Sequence, residues 1–194
     1  MKHTKYLRRY IVNADDFGMD EQTNKAILEE FLSGNITSAS LMVNREGSKQ
    51  AIRMAQELEL DVGLHLELTT EYIRFFVDYF LGLERPDEIY LSIKQQIEKF
   101  IATGLPLNRI DSHLGVHFFP GIWKIIQSLM TAYKITHVRN PIRKLYFNVF
   151  NIKRFIHDNI QWLFFKLNSN RFQSMPYMVE LDGVEVVAHI GGDN

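Results

Sequence analysis

The chain contains no cysteine. That absence excludes disulfides, thiolate zinc sites and cysteine nucleophiles, and it suits a reducing cytosol. Long apolar runs are missing too, so no segment reads as a membrane span. The basic start Met1-Lys2-His3-Thr4-Lys5-Tyr6 meets Arg8 and Arg9 without the apolar core of a signal peptide, and the expectation is a cytoplasmic protein. Net charge is scarce: 22 Lys and Arg face 23 Asp and Glu, for a formal −1. Such a balance predicts no nucleic-acid partner. Internal repeats, low-complexity tracts and interdomain linkers are absent, so residues 1–194 read as one domain large enough to bury a sizeable core. What remains is an ordinary globular composition, 46% hydrophobic and 23% charged.

Apolar, strand-like runs alternate with amphipathic stretches, the pattern of βαβ units and a largely parallel sheet. The first run, Ile11-Val12-Asn13-Ala14, ends in Asp15-Asp16-Phe17-Gly18. Glu21 to Ser33 carries Ala26, Ile27, Phe31 and Leu32 and stops at Gly34-Asn35, which predicts a helix. Thr37 to Val43 is the second strand, Ser48 to Leu58 the second helix, and Asp61 to Leu66 the third strand. Tyr72 to Leu83 is apolar enough for a buried or lid-like helix, and Pro86-Asp87-Glu88 opens another that runs to Gly104. Arg109 to His117 reads as a fourth strand. A helix over Pro120 to Tyr133, a fifth strand at Thr136 to Arg139 and a last strand at Val184 to Ile190 complete the pattern.

Active sites of α/β folds lie at the carboxyl ends of parallel strands, and three of these ends carry Asp or His. Asp15 and Asp16 are adjacent carboxylates, and keeping both ionised in an enclosed site calls for a cation or for hydrogen-bond donors. Read locally, Asp-Asp-x-Gly is equally a turn that caps the following helix. A lone histidine on an apolar strand is more often a core residue satisfied by a carbonyl than a ligand, which applies to His65 and His113 taken singly. The three ends together favour a site. One carboxylate and two imidazoles leave coordination positions for water and substrate, as a hydrolytic metal centre needs.

The segment from Arg139 to Arg171 differs from the rest. It holds Arg139, Arg143, Lys144, Lys153, Arg154, Lys166 and Arg171 against the single acid Asp158, interleaved with Tyr146, Phe147, Phe150, Phe155, Trp162, Phe164 and Phe165. A helix packing its aromatic face on the rest of the fold, or a surface for sugar and phosphate, suits it better than nucleic-acid binding, because the remaining chain offsets the charge.

In order along nearly the whole chain, Asn13-Ala14-Asp15-Asp16-Phe17-Gly18, Gly63-Leu64-His65-Leu66, Asp111-Ser112-His113 with Val116-His117-Phe118-Phe119-Pro120, Val138-Arg139-Asn140-Pro141 and Gly183-Val184-Glu185-Val186-Val187-Ala188-His189 resemble the YdjC-like chitooligosaccharide deacetylase family. The resemblance implies a distorted TIM-like (β/α) barrel. It also implies a metal-dependent hydrolase that removes the N-acetyl group from an amino sugar or short chitooligosaccharide. Carried over by position, it makes Asp16, His65 and His113 ligands of one divalent ion, Mg²⁺ or Zn²⁺, and Asp15 the general base toward metal-activated water. His189 would protonate the leaving amine or orient a neighbouring group; a structural histidine in a C-terminal strand is the equal alternative. Asp111 and His117 are expected to orient His113 or the substrate, and Arg139 to pair with a carboxylate or an anionic substrate group. A homodimer is expected from the prevalence of two-fold assemblies and from the aromatic 146–165 segment.

The chain also departs from the family pattern. Gly115 stands where the family's His-x-His-x-His has its middle imidazole, Ile190 stands where a Pro follows the last histidine, and the loop after His65-Leu66-Glu67-Leu68-Thr69 is short. These departures carry an alternative, a degenerate member that binds metal or sugar without catalysis. A different metal hydrolase, such as a phosphoesterase, is the third reading, since fold does not fix function.

Overall fold

The strands alternate in polarity residue by residue, and that alternation decides how the sheet is used. The computed structural model describes residues 12–139 and 187–188. Within them β1 (Asn13–Phe17), β2 (Ser38–Leu41), β3 (Asp61–Leu66), β4 (Arg109–Ser112), β5 (His137–Val138) and β6 (Val187–Ala188) form one sheet. Its order is β5-β4-β3-β2-β1-β6, and every pairing is parallel. The helices are α1 (Glu21–Leu32), α2 (Ser48–Leu58), α3 (Tyr72–Phe80), α4 (Pro86–Ile101) and α5 (Pro120–Tyr133).

Strands consecutive in the chain are neighbours, and the last described strand returns to the other edge of β1, which is how a (β/α) barrel winds. Among the described residues no pairing joins β5 to β6. The expected α/β architecture with a largely parallel sheet is present.

Successive side chains of a strand point to opposite faces. Ala14, Ala39, Leu41, Val62, Leu64, Leu66 and Ile110 lie on the helix-covered face and are buried with Ile27, Ala51, Ile93, Ile97, Ile122 and Ile126. Fully burying a Leu or Ile side chain is worth roughly 1.5–3 kcal/mol, so this face supplies much of the fold's cohesion. The intervening residues, Asn13, Asp15, Ser38, Ser40, Gly63, His65, Arg109 and Asp111, form the other face, which is polar. A Cβ at Gly63 would stand 2.5 Å from Arg109 Cγ. Glycine there lets Arg109 lie across the polar face, donating to Asp61 Oδ2 at 2.6 Å and to the Ala39 carbonyl at 2.9 Å.

Helix ends follow local chemistry. Asp20 caps α1 by accepting from the Thr23 N–H at 2.7 Å. Pro86 opens α4, with Asp87 and Glu88 in its first turn and Lys99 in its last, each sign matched to the helix dipole. Left-handed residues close α3 and α4 at Gly82 and Gly104, so α3 stops at Phe80 instead of Leu83 and α4 at Ile101 instead of Gly104.

One strand boundary is corrected with consequence. β4 ends at Ser112, and His113 to Phe118 form tight 3₁₀ turns in which Leu114 (φ 58°) and Gly115 (φ 65°) are both left-handed. His113 and His117 therefore sit on a turn above the strand end and not within a strand. At Gly115 the missing Cβ relieves strain that Leu114 must bear. Most of the basic aromatic segment, the ends of the last strand and His189 lie outside the described residues. No helix among the described residues is long and apolar enough to cross a membrane.

Candidate active site

In a regular strand Asp15 and Asp16 would face opposite sides. Here Asp16 adopts φ 63°, and the pairing of β1 with β2 slips between Ala14 and Phe17. This bulge turns the second carboxylate toward the polar face, a strain that Asp tolerates better than most residues. Fully buried Asn24 on α1 secures the turn, accepting from the Gly18 N–H at 2.7 Å and donating to the Gly47 carbonyl at 2.9 Å.

Three side chains from three strand ends then meet. His65 Nε2 lies 3.3 Å from Asp16 Oδ1, and His113 Nδ1 lies 2.9 Å from the same oxygen. One potential ligand atom from each of Asp16, His65 and His113 falls within 4.8 Å of the others. Ligand atoms about 2.1 Å from a shared ion stand roughly 3.0 Å apart at a right angle and about 3.4 Å at the tetrahedral angle. The two spacings to Asp16 Oδ1, 2.9 and 3.3 Å, are close to that range. His65 turns its other nitrogen, Nδ1, to Asp111 Oδ1 at 2.6 Å, the carboxylate–histidine arrangement that orients metal-ligating imidazoles. Asp111 is thus set against His65 and not against His113.

A second cluster, Asp15, His65 and Asp111, shares His65 with the first. Its centre is held by Arg139. That guanidinium donates to Asp15 Oδ1 and Oδ2 at 2.5 and 2.6 Å and reaches Asp111 Oδ2 at 2.8 Å. Asn13 donates to Asp15 Oδ1 at 2.8 Å and to Ser40 Oγ at 2.9 Å, and Ser40 donates to Asp111 Oδ2 at 2.7 Å. The network closes on itself through buried groups, as a buried polar cluster must to avoid desolvation losses. Asp15 Oδ1 has both lone pairs engaged, whereas Oδ2 keeps one without a donor among the described residues.

Protonation follows from these contacts. Burial alone would lower the pKa of His65, but the charge and hydrogen bond of Asp111, with help from Asp16 and Asp15, push it up to about 10 in the metal-free protein. Burial would raise Asp16, yet hydrogen bonds from His113 and His65 hold it far below the usual carboxylate range. Asp111 is likewise depressed: burial opposes ionisation, and the Arg139 charge and His65 overcome it. Fully buried His117 moves the other way, pushed down to about 4 by desolvation. Its ring lies between Ser112 Oγ and the Arg139 carbonyl, apart from His113.

Asn13, Asn24, Ser40, Ser112 and Gln96 take part in the site or its support without a role that the sequence alone assigns. Asn13 and Ser40 had a signal in the strict polar–apolar alternation of their strands. Gln96 stood as a lone amide on the apolar face of α4; it is buried and brackets the end of β3, accepting from the Glu67 N–H and donating to the Glu67 carbonyl, both at 2.9 Å. Ser112 stands within the Asp111-Ser112-His113 motif, and nothing local marks Asn24.

The family model described as YdjC-like protein matches residues 9–185. A carbohydrate deacetylase of Brevibacillus brevis is 38% identical over 69% of this chain and 59% of its own length. A carbohydrate deacetylase of Clostridium beijerinckii is 28% identical over 94% of this chain and 81% of its own. A crystal structure of an Enterococcus faecalis V583 protein named for cellobiose-phosphate cleavage superposes with a TM-score of 0.57 at 21% identity, over 82% of this chain and 64% of that one, a likeness of fold. The matched part is thus less than two thirds of the Brevibacillus relative.

Proposed function

The chain belongs to the YdjC-like protein family, and from that premise we propose that it is a carbohydrate deacetylase, removing the N-acetyl group from an amino sugar or short chitooligosaccharide with one divalent ion. The observation that carries this reading is the convergence of Asp16, His65 and His113 beside an arginine-held Asp15. The naming of its relatives supports the sugar and the reaction.

In this reading Asp16, His65 and His113 hold the ion, Mg²⁺ or Zn²⁺, and Asp111 fixes the orientation of His65. The bound ion supplies Lewis acidity, polarising the acetamide carbonyl and acidifying water. Asp15 takes a proton from the attacking water at the free lone pair of Oδ2, while Arg139 and Asn13 hold the carboxylate still. The water oxygen bonds to the carbonyl carbon, the carbon–nitrogen bond breaks, and the amine leaves with a proton, giving acetate and a free amino sugar. His189, outside the described residues, is assigned the delivery of that proton.

Arg139 also favours this chemistry over a two-metal phosphoesterase. A second cation would belong between Asp15 and Asp111, and the guanidinium already fills that position. The test is acetate release from diacetylchitobiose by metal-stripped protein, with and without added Mg²⁺ or Zn²⁺. Release restored by metal and lost in Asp15→Asn bears the reading out. Metal binding with no release from any acetylated sugar would leave a degenerate binding protein instead.

A further inference from the structure

We propose that His117 is a positioning residue for the Asp15–Arg139 pair, acting through the backbone of Arg139. The inference rests on the reading of Asp15 as the base. β5 is two residues long, paired with β4 only at Arg109–His137 and Ile110–Val138. Arg139 follows it, and its N–H still donates to the Ile110 carbonyl at 3.0 Å. Its own carbonyl is taken up by His117 Nε2 at 3.2 Å. The three short guanidinium contacts to Asp15 and Asp111 thus hang from a backbone held at its N–H by β4 and at its carbonyl by the imidazole.

The tautomer is fixed by the same contacts. A carbonyl only accepts, so Nε2 must carry the proton, and Nδ1 must accept. Ser112 Oγ lies 2.5 Å from Nδ1 and accepts from the His117 N–H at 3.2 Å, which leaves its single hydroxyl proton for the ring. Every donor and acceptor in this relay has one partner and one direction. His117 is 1% exposed, and the polar partners of its ring are Ser112 and the Arg139 carbonyl, so its action on the site runs through Arg139.

His117→Met, close in volume and without a donor, tests this beside His117→Gln, which restores an amide donor. In folded His117→Met, kcat should fall on the order of 10- to 100-fold, with KM and metal affinity within about twofold of the parent. His117→Gln should recover most of the lost kcat. Amide exchange at residue 139 should accelerate in His117→Met. If that exchange stays unchanged, if His117→Gln recovers none of the kcat, or if metal affinity falls in step with kcat, the proposal is wrong. Should the parent release no acetate from any sugar offered, the functional reading fails, and exchange at residue 139 alone decides the role of His117. Should His117→Met not fold, Ser112→Ala, which frees the ring tautomer, must accelerate exchange at residue 139 and lower kcat with KM and metal affinity held within about twofold.

Discussion

The two faces of the sheet are built from the same strands, and both are buried, yet they do opposite things. Ala39, Leu41, Val62, Leu64 and Ile110 meet the helices and stabilise by leaving water. Asn13, Ser40, His65, Asp111 and, across them, Arg109 and Arg139 leave water at a cost that their mutual hydrogen bonds and ion pairs offset. An apolar contact tolerates small shifts, whereas a hydrogen-bonded ring fails when one member moves. Precision of the site and cohesion of the fold are thus assigned to opposite faces of one sheet.

That contrast breaks most clearly at Asp15. Asp15→Asn should lower acetate release by roughly 10²–10⁴-fold, the usual contribution of a general base, while metal binding measured by calorimetry persists. Arg139→Gln strips compensation from two buried carboxylates and should cost about 3–5 kcal/mol in denaturant unfolding. In the folded variant, metal analysis should show more than one ion per chain, because the place between Asp15 and Asp111 becomes free; a stoichiometry still at one would refute the idea that Arg139 excludes a second cation. On the other face Leu64→Ala should cost about 2–5 kcal/mol through cavity formation, with the metal affinity of the folded fraction unchanged. Ser40→Ala, which removes one hydroxyl from the ring, should cost about 1 kcal/mol and reduce activity more than stability.

Two histidines give the contrast a pH signature. His65 in the metal-free protein binds its proton more tightly folded, near pH 10, than unfolded, near 6.5. Its contribution is complete below about 6.5 and is lost as pH rises toward 10. His117 titrates near 4 folded and near 6.5 unfolded, so the unfolded chain takes up the proton first and stability falls as pH drops from 6.5 to 4. Urea titrations of His65→Gln and His117→Gln should flatten the alkaline and acid sides respectively. Metal should remove the alkaline loss, because a bound ion replaces the His65 proton.

Much of this was legible in the chain. The alternation of strand and helix signals, the glycine and proline stops and the chemical types at the ends of β1, β3 and β4 were readable because they depend on neighbours within a few residues. The ends of helices shifted by a few residues where Gly82 and Gly104 turned the chain earlier than hydrophobicity suggested. Over His113 to His117 the apolar composition predicts a strand and the chain forms turns instead, because composition does not reveal two successive left-handed residues.

The sequence by itself determined that carboxylates and imidazoles stand at the ends of buried parallel strands, since apolar periodicity and turn chemistry are local properties. Only the tertiary structure decided that Asp16 turns inward on a bulge, that Asp111 serves His65, and that Arg139, 124 residues beyond Asp15, clamps it. Those pairings depend on sheet order and register, which bring distant residues within hydrogen-bonding distance and which no short stretch of chain encodes.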